Sequence, residues 1–290
     1  MKLIKGLITT VVVIVAIVGV AVIGGYVYVR KTYGIDLFNT VGQLKTLSKP
    51  VNESELCPSA FGAEDFVDVK DVVNTSVEDM VKYEEGKGYK GYSVDMDGST
   101  PMKAAISLTE KQVGALGQTV FYQKTGGKID VGGKSLDVKL IQTDFLNIDK
   151  TGSADINVVV KLDLTPFKAE MNQFPFSYLK KYVPDSLYVS STVRVQKGSA
   201  QFDYTVTHKT LTLNGLSAED TEDLFKTLDT VFGIGSAEKL NLLIGTTVTD
   251  ALIGNEKSEG FAYSLKSTGA KDFAFVAATA TAADAFSVLY

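Results

Sequence analysis

Asp95-x-Asp97-Gly98-Ser99, within GYSVDMDGSTPM, has the residue types and spacing of a phosphoryl-transfer site in which the first aspartate is the nucleophile. That chemistry needs a buried apolar strand just upstream to deliver the aspartates to a sheet edge. It also needs a downstream acidic pair to hold Mg²⁺. The upstream residues EEGKGYKGYSV are rich in Gly and Lys and make a poor central strand, and no acidic Gly-Asp pair follows. Asp-Gly is itself a strong turn signal, so a surface turn is expected here. An EF-hand loop is excluded, because its glycine belongs at position 6 and Gly98 stands at position 4.

Other chemistry-bearing residues lack partners in the same way. KTGGKIDVGGKS ends in Gly133-Lys134-Ser135, but a phosphate-binding loop needs Gly at 128, where Lys128 stands; a β-hairpin is expected. His208 is the single histidine, in QFDYTVTHKT, and by alternation it shares a face with Phe202, Tyr204 and Val206. No G-x-S-x-G elbow accompanies it, so a partly buried structural histidine is expected rather than a Ser-His-Asp triad. Cys57 is the single cysteine, which excludes an intramolecular disulfide and a cysteine-based zinc site. No carboxylate cluster has metal-ligand spacing, so neither metal nor cofactor is expected. Asp220, Glu222 and Asp223 read as helix N-terminal charges, and Glu84-Glu85 as a solvated face.

The most unusual stretch is FPFSYLKKYVPDSLYV. Phe174, Phe176, Tyr178, Leu179, Tyr182 and Tyr188 crowd an apolar, aromatic surface beside Lys180-Lys181. It reads either as a crossover that plugs the core or as the rim of an apolar-ligand groove, and these six are the candidate ligand-binding residues.

The elements that must position these groups are mostly β in the middle of the chain. In DINVVVKLDLT, Ile156, Val158, Val160, Leu162 and Leu164 alternate with Asn157, Val159, Lys161 and Asp163, a strand with one apolar and one largely wet face. SLDVKLIQTDF precedes it; LYVSSTVRVQ and AQFDYTVTHKTLTL follow, with turns at Lys150-Thr-Gly152-Ser and Lys197-Gly198-Ser199. A short helix is expected in TSVEDMVKYEE and another near Phe176 to Tyr182. Thr109-x-x-Gln112 is a capping box for a helix with Val113, Leu116, Val120 and Phe121 inward; Gly114 and Gly117 weaken that helix unless they allow close packing. Ser217 caps a helix with Leu224, Phe225, Leu228, Val231 and Phe232 inward, and Ser236 caps one with Leu240, Leu243, Ile244, Val248, Ala251 and Leu252 inward. A last hairpin is expected from FAYSLKS and DFAFVAATATA around Thr268-Gly269.

At the N-terminus, Gly6 to Val29 runs for 24 residues without a charge. As a helix that is about 36 Å, against a hydrocarbon core of about 30 Å. Lys2 and Lys5 precede it, Arg30 and Lys31 follow, and Tyr26 and Tyr28 lie near one end, where aromatic rings favour the interface. The alternative is a cleaved signal peptide with a small-x-small site at Gly19-Val20-Ala21, but the apolar run continues well past it. The expectation is one uncleaved span, a short cytoplasmic tail and a body outside the cytoplasm. With the four flanking basic residues set aside, 25 of the 29 Lys+Arg remain against 34 Asp+Glu, a body charge of about −9 that disfavours nucleic acid and anionic lipid surfaces.

Ile35, Phe38, Val41, Leu44 and Leu47 recur as one helical face, a juxtamembrane stalk, and VNESELCPSAFGAED reads as a linker. The expected organisation is therefore 1–31 tail and transmembrane anchor, 32–65 stalk helix and linker, and 66–290 an extracytoplasmic α+β domain. That domain is expected to be a mostly antiparallel, curved sheet with about three packed helices.

The anchor, the Thr-capped helix after ISLT, the long alternating strands and the connector KLDLTPFKAEMNQFPFSYLKKYVPDSLYV resemble the membrane-anchored extracytoplasmic domains of unknown function of Gram-positive bacteria. More remotely they resemble the AsmA and tubular lipid-binding groups, whose curved sheets hold lipid. The resemblance covers residues 100 to 260 in pattern, and carries no site residue over. The anchor, the long one-face-apolar strands and the lack of a catalytic set lead to the expectation of a non-enzymatic, single-pass cell-envelope protein that binds an apolar ligand such as a lipid, or an envelope partner. A purely scaffolding module, dimerised through the stalk, and an envelope hydrolase using His208 or a carboxylate pair are the other readings.

Overall fold

The computed structural model describes residues 37–131, 134–170, 180, 183–232 and 235–290. The candidate anchor Gly6 to Val29 lies outside them. Among the described residues no helix is long and apolar enough to cross a membrane.

Five strands form an antiparallel meander: β4 (Lys128–Val131), β5 (Lys134–Leu146), β6 (Ala154–Asp163), β7 (Ser186–Lys197) and β8 (Tyr204–Leu213), in that spatial order. The β5–β6 and β7–β8 turns fall where Gly, Asn and Asp permit them. Asn147 and Gly152 have positive φ in the β5–β6 hairpin, and Gly198 N donates to Asp203 O in the β7–β8 hairpin. The KTGGKIDVGGKS stretch is the β4–β5 hairpin, as expected. A second, three-stranded antiparallel sheet has the order β3 (Ile106–Thr109), β10 (Ala285–Leu289), β9 (Asp272–Val276). A two-stranded ribbon pairs β1 (Val81–Tyr83) with β2 (Tyr92–Val94). The fold class is α+β with antiparallel sheets, and it carries more helices than the three or so expected.

The helices are α1 (Leu37–Leu47), α2 (Glu53–Leu56), α3 (Ala63–Ser76), α4 (Glu110–Thr125), α5 (Thr165–Glu170), α6 (Ala218–Phe232), α7 (Ala237–Leu252) and α8 (Phe261–Ser264), the last running into a 3₁₀ turn at Leu265–Thr268. The caps read from the sequence form. Thr109 Oγ1 accepts from Gln112 N while Gln112 Oε1 accepts from Thr109 N at 2.9 Å; Ser217 Oγ accepts from Asp220 N at 3.0 Å; Ser236 Oγ accepts from Lys239 N at 3.3 Å.

Three expectations are corrected. The helix expected in TSVEDMVKYEE lies upstream as α3, because Phe66, Val69 and Val73 supply its buried stripe and Asn74 closes it by bonding both N and O of Val81. FAYSLKS is helical rather than a strand; the last hairpin joins β9 to β10, whose register pairs Phe273 with Val288 and Phe275 with Phe286. The stalk helix α1 does not stand apart: Leu44 and Leu47 are buried in the main core, and Asn214 Nδ2 donates to Leu47 O at 2.8 Å.

The inner face of the five-stranded sheet is turned to the main core, with Tyr204, Val206 and His208 of β8 only half-buried. Helix α4 lies under β5 and α7 under β7 and β8, while Phe273, Phe275 and Phe286 of the second sheet close one end against Phe145. Two β-bulges interrupt the long strands, at Leu140/Gln142 in β5 and opposite Thr192/Val193 in β8. Each is met by a buried amide from the helix beneath it. Gln118 Oε1 of α4 accepts from Leu140 N at 2.7 Å, and Asn241 Nδ2 of α7 donates to Thr192 O at 2.8 Å. A bulge frees one backbone group from the ladder, and a buried free group must find a partner.

Candidate functional site

The DxDG segment follows β2, a three-residue strand in a two-stranded ribbon, not the end of a central strand. Asp95 N donates to Met80 O, Asp97 N to Asp95 Oδ1, and Asp95 is ion-paired to Lys82 at 3.2 Å. The segment is the expected turn, and it also lines a polar cleft of about 380 Å³ together with Glu78, Asp79, Lys82 and Ser264. Among the described residues no group of three His, Cys, Asp or Glu side chains could hold a metal ion.

His208 lies on the inner face of β8, half-buried, with Nδ1 2.7 Å from Asn241 Nδ2. Thr192 O fixes the orientation of the Asn241 amide, because a carbonyl turned toward it would face another acceptor. The His208 nitrogen facing that amide therefore accepts, which puts the ring proton on Nε2. Ser191 Oγ donates to Asn241 Oδ1 at 2.6 Å. Serine and histidine thus meet through a carboxamide that serves the bulge, and no hydroxyl–imidazole bond is formed.

The outer face is where polar groups converge. Residues 51–61 run across its lower half, from β7 to β5. There Glu53 Oε2 accepts from Lys161 Nζ at 2.6 Å and from Tyr188 OH at 2.5 Å, and the Lys161 ammonium also lies over the Tyr188 ring at 5.1 Å. The two hydrogen bonds, from Lys161 first, hold the Glu53 carboxyl below the usual glutamate range. Further along, Ser59 N donates to Gln142 Oε1 at 3.0 Å and Phe61 N to Ile141 O. Beneath this segment Cys57, Val159 and Tyr188 form a small buried cluster of their own, edged by Val51, Leu56, Ala60 and Ile141. Burial pushes the Cys57 thiol up to about 11.

The upper half of the face is open and carries one connected row across three strands. Asp144 Oδ2 accepts from Gln142 Nε2 at 2.7 Å and from Asn157 Nδ2 at 2.9 Å; Asn157 Oδ1 accepts from Ser190 Oγ at 2.8 Å and Thr192 Oγ1 at 3.1 Å. Thr210 and Thr212 extend the row onto β8. Arg194 closes its end through Asp155 at 3.2 Å and through Asp149, whose carboxyl is lowered by its bonds to Thr151, by those to Ser153 and by the charge of Arg194. Asp144, Asn157, Ser190 and Thr192 are held by one another on rigid strands and stay partly exposed, while Gln142 is buried and also bound by Ser59 N.

Of the six candidate ligand-binding residues, Phe174, Phe176, Tyr178, Leu179 and Tyr182 lie outside the described residues. Tyr188 is 5% exposed and covered by residues 51–60, so it lines no open groove. Gln142, Asp144, Asn157, Ser190 and Thr192 were not singled out from the sequence. The signal was present as the polar half of the β6 alternation and the Ser-Ser-Thr run of β7, but pairing register was needed to align them.

Searches of protein-family models, curated proteins and solved structures return no match to the chain.

Proposed function

We propose that the protein is a non-enzymatic, membrane-tethered module of the cell envelope that binds a hydrophilic partner outside the cytoplasm through the open outer face of its five-stranded sheet. The observation that carries this reading is the Asp144–Asn157–Ser190–Thr192 row: partly exposed, braced at one end by the buried Gln142, and mounted on strands whose other face lines the main core. Hydroxyl and amide groups fixed in a plane recognise ligands by directional hydrogen bonds. The apolar run at Gly6 to Val29 supplies the tether, and the net negative body argues against nucleic acid. The lipid-binding alternative is less favoured, because seven phenylalanines, from Phe145 to Phe286, fill the interior that a lipid would need.

The test is site-specific photo-crosslinking in membranes from Thr192 and Thr210 of the full-length chain, with Lys226 on α6 as the comparison site. The reading expects one discrete adduct from the two outer-face sites alone. Equal adducts from all three sites, or co-purification of a stoichiometric lipid with no adduct, would overturn it.

A further inference from the structure

We propose that residues 49–60 form a hinged strap that opens as a unit over the outer sheet face while the rest of the fold stays closed, with Glu53 as its clasp. The strap is bounded by firm anchors. Upstream, Leu44 and Leu47 are in the main core and Leu47 O is held by Asn214. Downstream, the Phe61 ring packs edge-on against Phe66 at 5.8 Å and sits against the bare backbone of Gly114. Between these anchors the chain has one helical turn and its own small apolar cluster, separate from the main core. Segments with few apolar contacts and exposed hydrogen bonds open at lower free energy than the global fold.

What holds the strap down is local. Glu53 faces Lys161 from β6, Tyr188 from β7 and Lys139 from β5, and Cys57 lies on its own segment. Removing its charge removes the ion pair with Lys161 and the charge assistance of the bond from Tyr188. Opening bares Cys57, Val159 and Ile141 next to the polar row, so the strap sets how much of the outer face is presented. Cys57 serves as the reporter: 2% exposed when the strap is closed and free to react when it is open.

The experiment is the rate of Cys57 modification by 4,4′-dithiodipyridine in the full-length chain, measured across urea concentrations below the global transition. A strap opening gives a rate almost independent of urea, because little surface is exposed. Glu53→Gln then accelerates labelling by about threefold to tenfold, a range set by the partial exposure of the pair, and Tyr188→Phe accelerates it less. Asn241→Ala, which weakens the core away from the strap, leaves the low-urea rate unchanged. The proposal is overturned if labelling follows the global urea dependence, or if Asn241→Ala accelerates it as much as Glu53→Gln does.

Discussion

Two glycines one turn apart in α4 are expected to respond oppositely to the same substitution. Replacing a helix-interior glycine by alanine gains about 0.8–1 kcal/mol from backbone entropy alone. At Gly114, however, an added Cβ would stand 2.4 Å from Phe61 Cδ1 and 2.8 Å from Cε1. Contacts that short force the ring out, and overpacking of this kind costs about 1–3 kcal/mol. The net for Gly114→Ala is a loss of about 1 kcal/mol, or a Tm lowered by about 2–4 °C in a domain of this size. At Gly117 the nearest atom is Leu140 Cδ2 at 3.2 Å, the mobile end of a flexible side chain. Gly117→Ala should therefore keep most of the propensity gain and raise Tm by about 1–2 °C. Thermal and urea unfolding of the two variants decide the sign, and a Phe61→Ala background isolates the cause, since Gly114→Ala should become stabilising there. If Gly114→Ala raises Tm as much as Gly117→Ala, Phe61 does not seat on this helix and the argument fails.

Other outcomes follow from single features. Asn241→Ala strips partners from Thr192 O, Ser191 Oγ and His208 at once, and should cost about 2–3 kcal/mol in urea unfolding. Gly42→Ala, at an exposed position of α1, meets nothing within 4 Å and should stabilise by about 0.5–1 kcal/mol, read as a higher urea midpoint. Glu110 accepts from Phe145 N, yet burial first, and then Asp144 and Asp284, raise its pKa above the glutamate value of 4.5. A raised carboxyl favours the folded state below pH 4.5 and loses that contribution as pH rises through the folded value. Glu110→Gln should accordingly raise Tm at pH 7 relative to the parent, with the difference shrinking below pH 4.5.

Local signals in the chain determined its local structure. The Thr109–Gln112 box, the Ser217 and Ser236 caps and the turns at Gly152 and Gly198 depend on groups within a few residues of one another and form as read; the hairpin expected at Thr268-Gly269 does not, because the segment before it is helical. The β6 alternation correctly divided apolar from polar, because side chains alternate across any strand. Its wet face was only half wet, since a segment about 100 residues upstream lies across Val159 and Lys161. That segment, VNESELCPSAFGAED, looked like a linker because its apolar residues have no period; its burial comes from the sheet beneath it. Tyr188 was grouped with the aromatic crossover by proximity in sequence, but strand register turned it to the outer face beside Glu53. Likewise Gln118 and Asn241 are unremarkable in sequence and become necessary only because two strands bulge above them. Periodicity and capping are properties of neighbours along the chain. Bulge satisfaction, the strap and the polar row are properties of strands in register, and only the tertiary structure decides which residues those strands bring together.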